Sequence, residues 1–169
     1  MSGCLRNLVF HFLPHQFSDL FNRLDRTITD DLSPFSPQSG SIPQYRLGKS
    51  FDSSTGFILP NGAIRSPDTA WIAQQCWDSL TQQQQEQFVP LCPDFVVELL
   101  SPSDNLDQTR QKMQEYLDQG VRLGWLILFQ QQRVEIYRPQ QPVEVQENPT
   151  MLSGETVLPE FELDLTEIW

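Results

Sequence analysis

Residues 93–104 read PDFVVELLSPSD, and they determine the predicted fold more than any other stretch of the chain. The nearly continuous apolar run at 95–100 predicts a central β-strand that is buried on both faces of a sheet. Residues 101–104 are Ser, Pro, Ser and Asp, which are types that cap the start of a helix. Apolar side chains then recur at helical spacing over 106–117, and Gly120 supplies a C-terminal stop. This stretch therefore predicts a strand followed by an amphipathic helix.

The rest of the chain also mixes strands with helices. Asn61-Gly62 predicts a tight hairpin turn, because both residue types accept the positive φ angles that such turns need. Apolar patterning predicts a helix at 14–29, a loop at 33–44, strands around 51, at 55–59 and at 68–72, a short surface helix within 76–92, a strand pair at 121–129 and 133–137, and short edge strands at 143–145 and within 157–165. This order indicates the α/β class, or equally α+β, with a mixed sheet.

Composition limits the classes of function. The chain has 169 residues, 38% of them apolar, which is enough for one domain with a real core. Its 22 acidic and 11 basic residues give a net charge of -11, so most of the surface repels polyanions and any activity on nucleic acid must depend on a local site. No apolar run approaches the length of a membrane span, and we expect a soluble, cytoplasmic protein. The cysteines, at 4, 76 and 92, are spaced for neither a disulfide framework nor a zinc site.

Glu98 lies inside the apolar run, where an ionised carboxylate needs a charged partner or a metal ion. A Pro-Asp pair occurs twice, at Pro67-Asp68 and at Pro93-Asp94. Asp94 is four residues from Glu98 on the same strand, about 13 Å away at roughly 3.3 Å per residue, which is awkward for sharing one ion. Asp68 begins a different strand and can lie beside Glu98. We therefore select Asp68 as the second acid.

Lys112 lies on the helix that follows Glu98, and its flexible stem can carry the ammonium along the apolar flank to the sheet. Two acids and a lysine are the minimum set for metal-dependent phosphodiester hydrolysis. Each residue also has a structural alternative. Asp68 is compatible with a strand-initiating acid bonded to the backbone, Lys112 with a solvated helix face, and Glu98 with a buried ion pair to Arg122 or Lys112.

Four segments carry a resemblance to a known family. They are FDSSTGFILPNGAIRSPDTAWI at 51–72, PDFVVELLSPSD at 93–104, KMQEYLDQGVRLGWLI at 112–127 and VEIYRP at 134–139. Over residues 46–169 the chain resembles the Uma-type family of restriction endonucleases, which is similar in fold to the PD-(D/E)XK nuclease superfamily. The resemblance implies a restriction-endonuclease-like core, in which helices flank a central mixed sheet. Residues 1–45 do not match the family's usual beginning and are treated as a divergent N-terminal helix and loop, in which neither Asp19 nor Asp25 is assigned to the site.

The resemblance also implies site residues. Asp68 matches the motif aspartate, Glu98 the acid of the (D/E)XK element, and Lys112 its lysine, moved from the strand to the following helix. Leu100 occupies the position where the literal motif has the lysine. The implied activity is a Mg²⁺- or Mn²⁺-dependent DNA endonuclease, and the implied assembly is a homodimer. Asp68, Glu98 and the main-chain carbonyl of Leu99 would hold the ion. The alternative is an inactive binding or regulatory module with the same fold.

Overall fold

The computed structural model describes residues 48–166 and residue 169. In chain order its elements are β1 (Gly48–Asp52), β2 (Phe57–Ile58), β3 (Ile64–Arg65), β4 (Thr69–Ala73), α1 (Gln74–Asp78), α2 (Gln82–Gln85), β5 (Phe95–Leu99), α3 (Leu106–Gln119), β6 (Leu123–Leu128), β7 (Arg133–Tyr137), β8 (Glu144–Glu147), β9 (Met151–Ser153) and β10 (Glu162–Asp164). The predicted helix at 14–29, the loop at 33–44 and the division between 1–45 and 46–169 lie outside the described residues.

A six-stranded mixed sheet organises the described part of the chain. Its strand order is β1-β4-β5-β6-β7-β8, with β5 and β6 parallel and every other pair antiparallel. Helix α3 connects the two parallel strands, as a parallel pair requires a crossover. Two further ribbons pair β2 with β3 and β9 with β10. The α/β class and the central mixed sheet with flanking helices are therefore confirmed.

Each face of the sheet packs against its own hydrophobic core. One core joins Phe95 and Trp125 of the sheet to Leu152 and Leu163 of the β9–β10 ribbon. The other core lies between α3 and the other face of the sheet. It includes the buried Met113 of α3 and strand residues of that face. Because both faces are covered, β5 and β6 have no polar face, which explains their nearly continuous apolar sequences.

Helix α3 begins later than the sequence predicted. Its N-cap is Asn105, whose side chain accepts a hydrogen bond from the Gln108 amide at 3.1 Å. Asp104 instead accepts from the Ser101 amide at 2.9 Å, which closes a separate turn before the helix. The predicted stop at Gly120 is confirmed, since its φ of 117° is left-handed backbone that favours glycine.

Three other predictions need correction. Residues 76–92 were expected to contain one surface helix, but α1 and α2 are separate short helices and Trp77 of α1 is buried. The hairpin at Asn61-Gly62 is present, although its strands are only two residues long. Within 157–165 only β10 is a strand, and it pairs with the unpredicted β9 rather than lying at an edge of the main sheet. No helix of the described residues has the length and apolar character to cross a membrane.

Candidate active site

Asp68 and Glu98 lie opposite each other on neighbouring strands. The β4–β5 register pairs Thr69 with Val97, and continuing it by one residue places Asp68 opposite Glu98. Side chains alternate along a strand, so Asp68 shares a sheet face with Ala70, which belongs to the core beneath α3. Both acids are therefore on the face that α3 covers.

The Asp68 carboxylate is anchored to the main chain of β5. Its Oδ2 accepts a hydrogen bond from the Leu99 amide at 2.7 Å. Burial raises the pKa of Asp68, although this hydrogen bond and the charge of Lys112 oppose the shift. The structural alternative, in which Asp68 is bonded to the backbone, thus holds for Oδ2 but not for Oδ1. Oδ1 has no hydrogen bond to the described residues.

Glu98 is buried, with 5% of its surface exposed. The Lys112 ammonium lies 2.7 Å from Oε1 and 2.9 Å from Oε2, and the Tyr116 hydroxyl donates to Oε1 at 3.0 Å. Burial nevertheless raises the pKa of Glu98 to about 7, against the attraction of Lys112 and with a contribution from the negative charge of Asp68. Two carboxylates, those of Asp68 and Glu98, therefore lie near the single ammonium of Lys112.

The Lys112 side chain, 30% exposed, points to the sheet rather than into solvent. Of the two ion-pair partners expected for Glu98, Lys112 is the observed one. The alternative in which Arg122 pairs with Glu98 is wrong, because the Arg122 guanidinium lies 3.5 Å from the carboxylate of Asp94 instead. Asp94 also accepts a hydrogen bond from the Ala73 amide at 2.9 Å, so it is held at the opposite end of β5 from Glu98. The structure brings Asp68, Glu98 and Lys112 together, and their catalytic roles stay a prediction.

A cavity of about 470 Å³ opens over these three residues. Its lining consists of Asp68, Glu98, Leu99, Ser101, Asp104, Asn105, Gln108, Thr109 and Lys112. Asp104 is a third acid at this cavity, and its charge adds to the rise in the pKa of Asp68. Neither the place of Asp104 at the cavity nor the contact from Tyr116 was predicted from the sequence, because Asp104 has the position of a capping residue and Tyr116 continues the apolar spacing of the helix.

A second ion pair joins a buried acid in the same row of the sheet to the exposed Arg110. The registers pair Glu98 with Leu126 and Leu126 with Glu135. Glu135 is buried, accepts hydrogen bonds from the Arg110 guanidinium, and accepts one from the Tyr137 hydroxyl at 2.8 Å. Two ion pairs thus connect α3 to the sheet, one at Glu98 and one at Glu135, on either side of Leu126. The Arg110–Glu135 pair was not predicted from the sequence.

The donor set at Asp68 and Glu98 fits a hard divalent cation. Carboxylate and main-chain oxygens are the ligands that Mg²⁺ and Mn²⁺ take. Within the described residues there is no group of three or more His, Cys, Asp or Glu side chains that could hold a metal ion, so main-chain oxygens or water would complete the coordination. A cation between these two acids would stabilise their ionised forms against the burial that raises the pKa of each.

Comparisons with known proteins identify a family by sequence and, separately, a solved structure with a similar fold. A family model, Uma2, described as "Putative restriction endonuclease", matches residues 22–166. The chain is also similar to the crystal structure of a putative nuclease of DUF820 from Anabaena variabilis ATCC 29413, with a TM-score of 0.70 and 20% identity over 92% of this chain and 78% of that one. No curated protein matches the chain. Since the family model matches most of its length, the chain belongs to the Uma2 family of putative restriction endonucleases.

Proposed function

We propose that this protein is a nuclease that hydrolyses phosphodiester bonds of DNA with the help of Mg²⁺ or Mn²⁺. Membership of the Uma2 family supports a nuclease function. The observation that carries the finer proposal is the arrangement of Asp68 and Glu98, two carboxylates on adjacent strands with a single ammonium, that of Lys112, beside Glu98. Asp68, Glu98 and the carbonyl of Leu99 are the proposed ligands.

The contacts of the two acids fit this role. When bound, the ion would act as a Lewis acid on the phosphate and lower the pKa of a bound water. The Leu99 amide fixes Oδ2 of Asp68, and Oδ1 accepts no hydrogen bond from residues 48–166 or 169. The Tyr116 hydroxyl fixes Oε1 of Glu98, so the orientation of this carboxylate does not depend on Lys112 alone.

Lys112 is the proposed positioning group for the attacking water. Its compact ammonium has three donors and, in this structure, contacts both oxygens of Glu98. Those oxygens would also be the ligands that Glu98 offers a cation, and the Lys112 ammonium would then donate to water and to a phosphate oxygen at the same cavity. Hydrolysis would form a bond from the water oxygen to phosphorus and break one phosphorus–oxygen ester bond, with one proton of the water released to solvent and one proton taken up from solvent by the leaving oxygen. Two cuts in duplex DNA would require two such sites, which a homodimer would supply.

One observation favours a second candidate function. The Glu98–Lys112 pair is already formed, and a fully paired buried carboxylate also suits an inactive nuclease fold that serves as a binding or regulatory module. In that case the three charged residues would have a structural role only.

Plasmid nicking separates the two candidates. Purified protein would be assayed with Mg²⁺ or Mn²⁺, and wild type compared with Glu98→Gln, Lys112→Ala and Asp68→Asn. Asp94→Asn is the matched control, because Asp94 also follows a proline and accepts a main-chain hydrogen bond. We expect metal-dependent nicking by wild type and Asp94→Asn, and a loss of about 100-fold or more in the other three variants. Absence of metal-dependent cleavage above these variants would support the inactive module.

A further inference from the structure

A second cavity lies at the β1 edge of the sheet, and we call it the aromatic groove. It has a volume of about 610 Å³, and the residues that matter here are Lys49, Phe51, Gly56, Trp77 and Phe88. Its walls come from β1, the turn that follows β1, α1 and the segment after α2. The proposed catalytic residues do not line it.

Lys49 differs from the other basic residues of the described chain. Every other lysine and arginine within residues 48–166 has a carboxylate partner. Lys49 has none among the described residues. Its ammonium instead lies 4.1 Å from the centre of the Trp77 ring and 5.5 Å from that of Phe51. An anion can therefore bind at Lys49 without breaking an ion pair to any residue within 48–166.

Phe88 presents an aromatic ring to solvent. It is 54% exposed, more than any other large apolar side chain in the described part of the chain. Its ring packs over Gly56, where a β-carbon would come within 2.6 Å of the ring carbon Cδ1. A residue larger than glycine at position 56 would displace the ring. Gly56 therefore allows the Phe88 ring to pack directly against the backbone.

The nearby polar side chains of α2 and its C-cap are already engaged within the chain. Gln85 donates to the carbonyl of Trp77 at 3.0 Å, and Glu86 accepts from Gln82 at 2.9 Å. Ser54 donates to the Asp52 carboxylate within the same turn. The ammonium of Lys49 and the ring of Phe88 are the cationic and the exposed aromatic groups that this groove offers to an external ligand.

The groove shares a sheet face with the candidate active site. The β1–β4 register pairs Lys49 with Ile72, and Ile72 lies on the same face of β4 as Asp68. Four residues separate Asp68 from Ile72, which is about 13 Å along the strand. A DNA strand of a few nucleotides can therefore reach both places.

We propose that the aromatic groove binds an unpaired nucleotide of the DNA substrate, with a phosphate at Lys49 and a base stacked on Phe88. This inference rests on the proposed function and deepens it, because it assigns single-stranded or locally unpaired DNA as the preferred substrate. Aromatic platforms next to cations are the usual means of binding single strands, since every base has a stacking face. The arrangement also matters because the chain has a net charge of -11 and few places where a phosphate is not repelled.

Fluorescence anisotropy with a labelled single-stranded oligodeoxynucleotide tests the groove. Binding would be measured in Ca²⁺, and the oligonucleotide checked on a gel to show that it stays intact. We expect Phe88→Ala to weaken binding about fivefold or more and Phe88→Trp to restore it. Lys49→Gln should weaken binding and reduce the slope of log K against log salt by about 0.7, as one lost phosphate contact predicts.

Arg138→Gln is the control for net charge. Arg138 is bonded to Glu144 and Glu155, and Glu155 lies in the chain between Leu152 and Val157, which belong to the core on the opposite face of the sheet. We expect this variant to bind like wild type. The inference is overturned if wild type does not bind the oligonucleotide, if Phe88→Ala binds as tightly as wild type, or if Arg138→Gln loses as much affinity as Lys49→Gln.

A small substrate separates failure of this inference from failure of the proposed function. Hydrolysis of bis(p-nitrophenyl) phosphate with Mn²⁺ requires the metal site. The substrate itself is too small to reach the groove from that site. The Lys49 and Phe88 variants should hydrolyse it at the wild-type rate, and Glu98→Gln should not hydrolyse it. Normal DNA binding by the groove variants alongside Glu98-dependent hydrolysis refutes only the groove. Weakened DNA binding without any hydrolysis refutes only the nuclease proposal.

Discussion

Glu98 depends on Tyr116 as well as on Lys112. The tyrosine lies four residues after the lysine on α3, so both side chains reach the same side of the helix and the same carboxylate. The tyrosine is fully buried, and its hydroxyl bonds to Oε1 of Glu98. Such a hydrogen bond to a buried carboxylate stabilises the fold and would also fix the orientation of Glu98 as the proposed metal ligand.

Tyr116→Phe should therefore lower both stability and metal affinity. The ring stays in the core while the hydroxyl is lost, and we expect a fall of about 1–3 kcal/mol in the free energy of unfolding. Mn²⁺ affinity should fall about tenfold or more. Urea denaturation and Mn²⁺ titration measure the two effects.

Tyr137→Phe is the matched control, because Tyr137 makes the same kind of hydrogen bond to Glu135. It should lose comparable stability and keep its Mn²⁺ affinity. Equal losses of Mn²⁺ affinity in both variants would contradict a specific role for Tyr116.

The main charged residues of the site could be predicted from the sequence, whereas their supporting contacts could not. Glu98 was recognisable because a charge within an apolar run requires compensation. Asp68 followed from strand geometry, which made Asp94 a poor partner for the same ion. Tyr116 and Asp104 were missed, because their spacing also suits a core residue and a helix cap.

At the level of elements, α3 is held over the sheet by two ion pairs. Lys112 binds Glu98 on β5, and Arg110 binds Glu135 on β7, with β6 between them. Residues two apart on a helix point to nearly opposite sides, so the two contacts restrain rotation of α3 about its axis. The Arg110–Glu135 pair should therefore fix the position of Lys112 when a cation competes for Glu98.

Glu135→Gln tests this restraint through pH. Burial opposes ionisation of Glu135, but hydrogen bonds from Arg110 and Tyr137 outweigh it and the pKa lies below the ordinary value of 4.5. A depressed pKa contributes stability above the unfolded-state pKa, and this contribution is lost as pH falls through the folded-state pKa. We expect the variant to be about 1–3 kcal/mol less stable than wild type at pH 7.

The difference should shrink as pH falls below about 4. Urea denaturation of both proteins at pH 7 and at low pH measures it. A stability difference of the same size at both pH values would show that the ion pair is not its cause.

Elements with strong apolar patterns were predicted well, and short ones were not. Strands β5 and β6 and helix α3 have sequences that few other structures accommodate. Strand β9 was not predicted, and β10 was expected at an edge of the main sheet. Both strands are three residues long and are stabilised by the core to which Leu152 and Leu163 belong. Local sequence cannot report such tertiary stabilisation.

For the whole molecule, net charge opposes the proposed binding of DNA. At -11 the protein repels a polyanion, and the candidate site adds the carboxylates of Asp68, Glu98 and Asp104. A divalent cation would reverse this repulsion locally. We expect oligonucleotide affinity at least about tenfold weaker in EDTA than in Ca²⁺, as measured by anisotropy.

Asp68→Asn should reduce that dependence on the cation, and Asp94→Asn should leave it unchanged. Equal affinities of wild type in EDTA and in Ca²⁺ would contradict a cation bridge between the site and DNA. The composition alone predicted that any nucleic-acid activity needs a local site, but only the fold shows which acids meet at one cavity.

Direct titration with Mn²⁺ is the most immediate test of the claim that Asp68 and Glu98 bind a divalent cation together. Calorimetry of wild type, Asp68→Asn, Glu98→Gln and Asp94→Asn would compare affinities in the absence of DNA. We predict one site in wild type and Asp94→Asn, and at least a tenfold weaker one in each of the other two variants. Unchanged Mn²⁺ affinity in Asp68→Asn and Glu98→Gln would contradict the account.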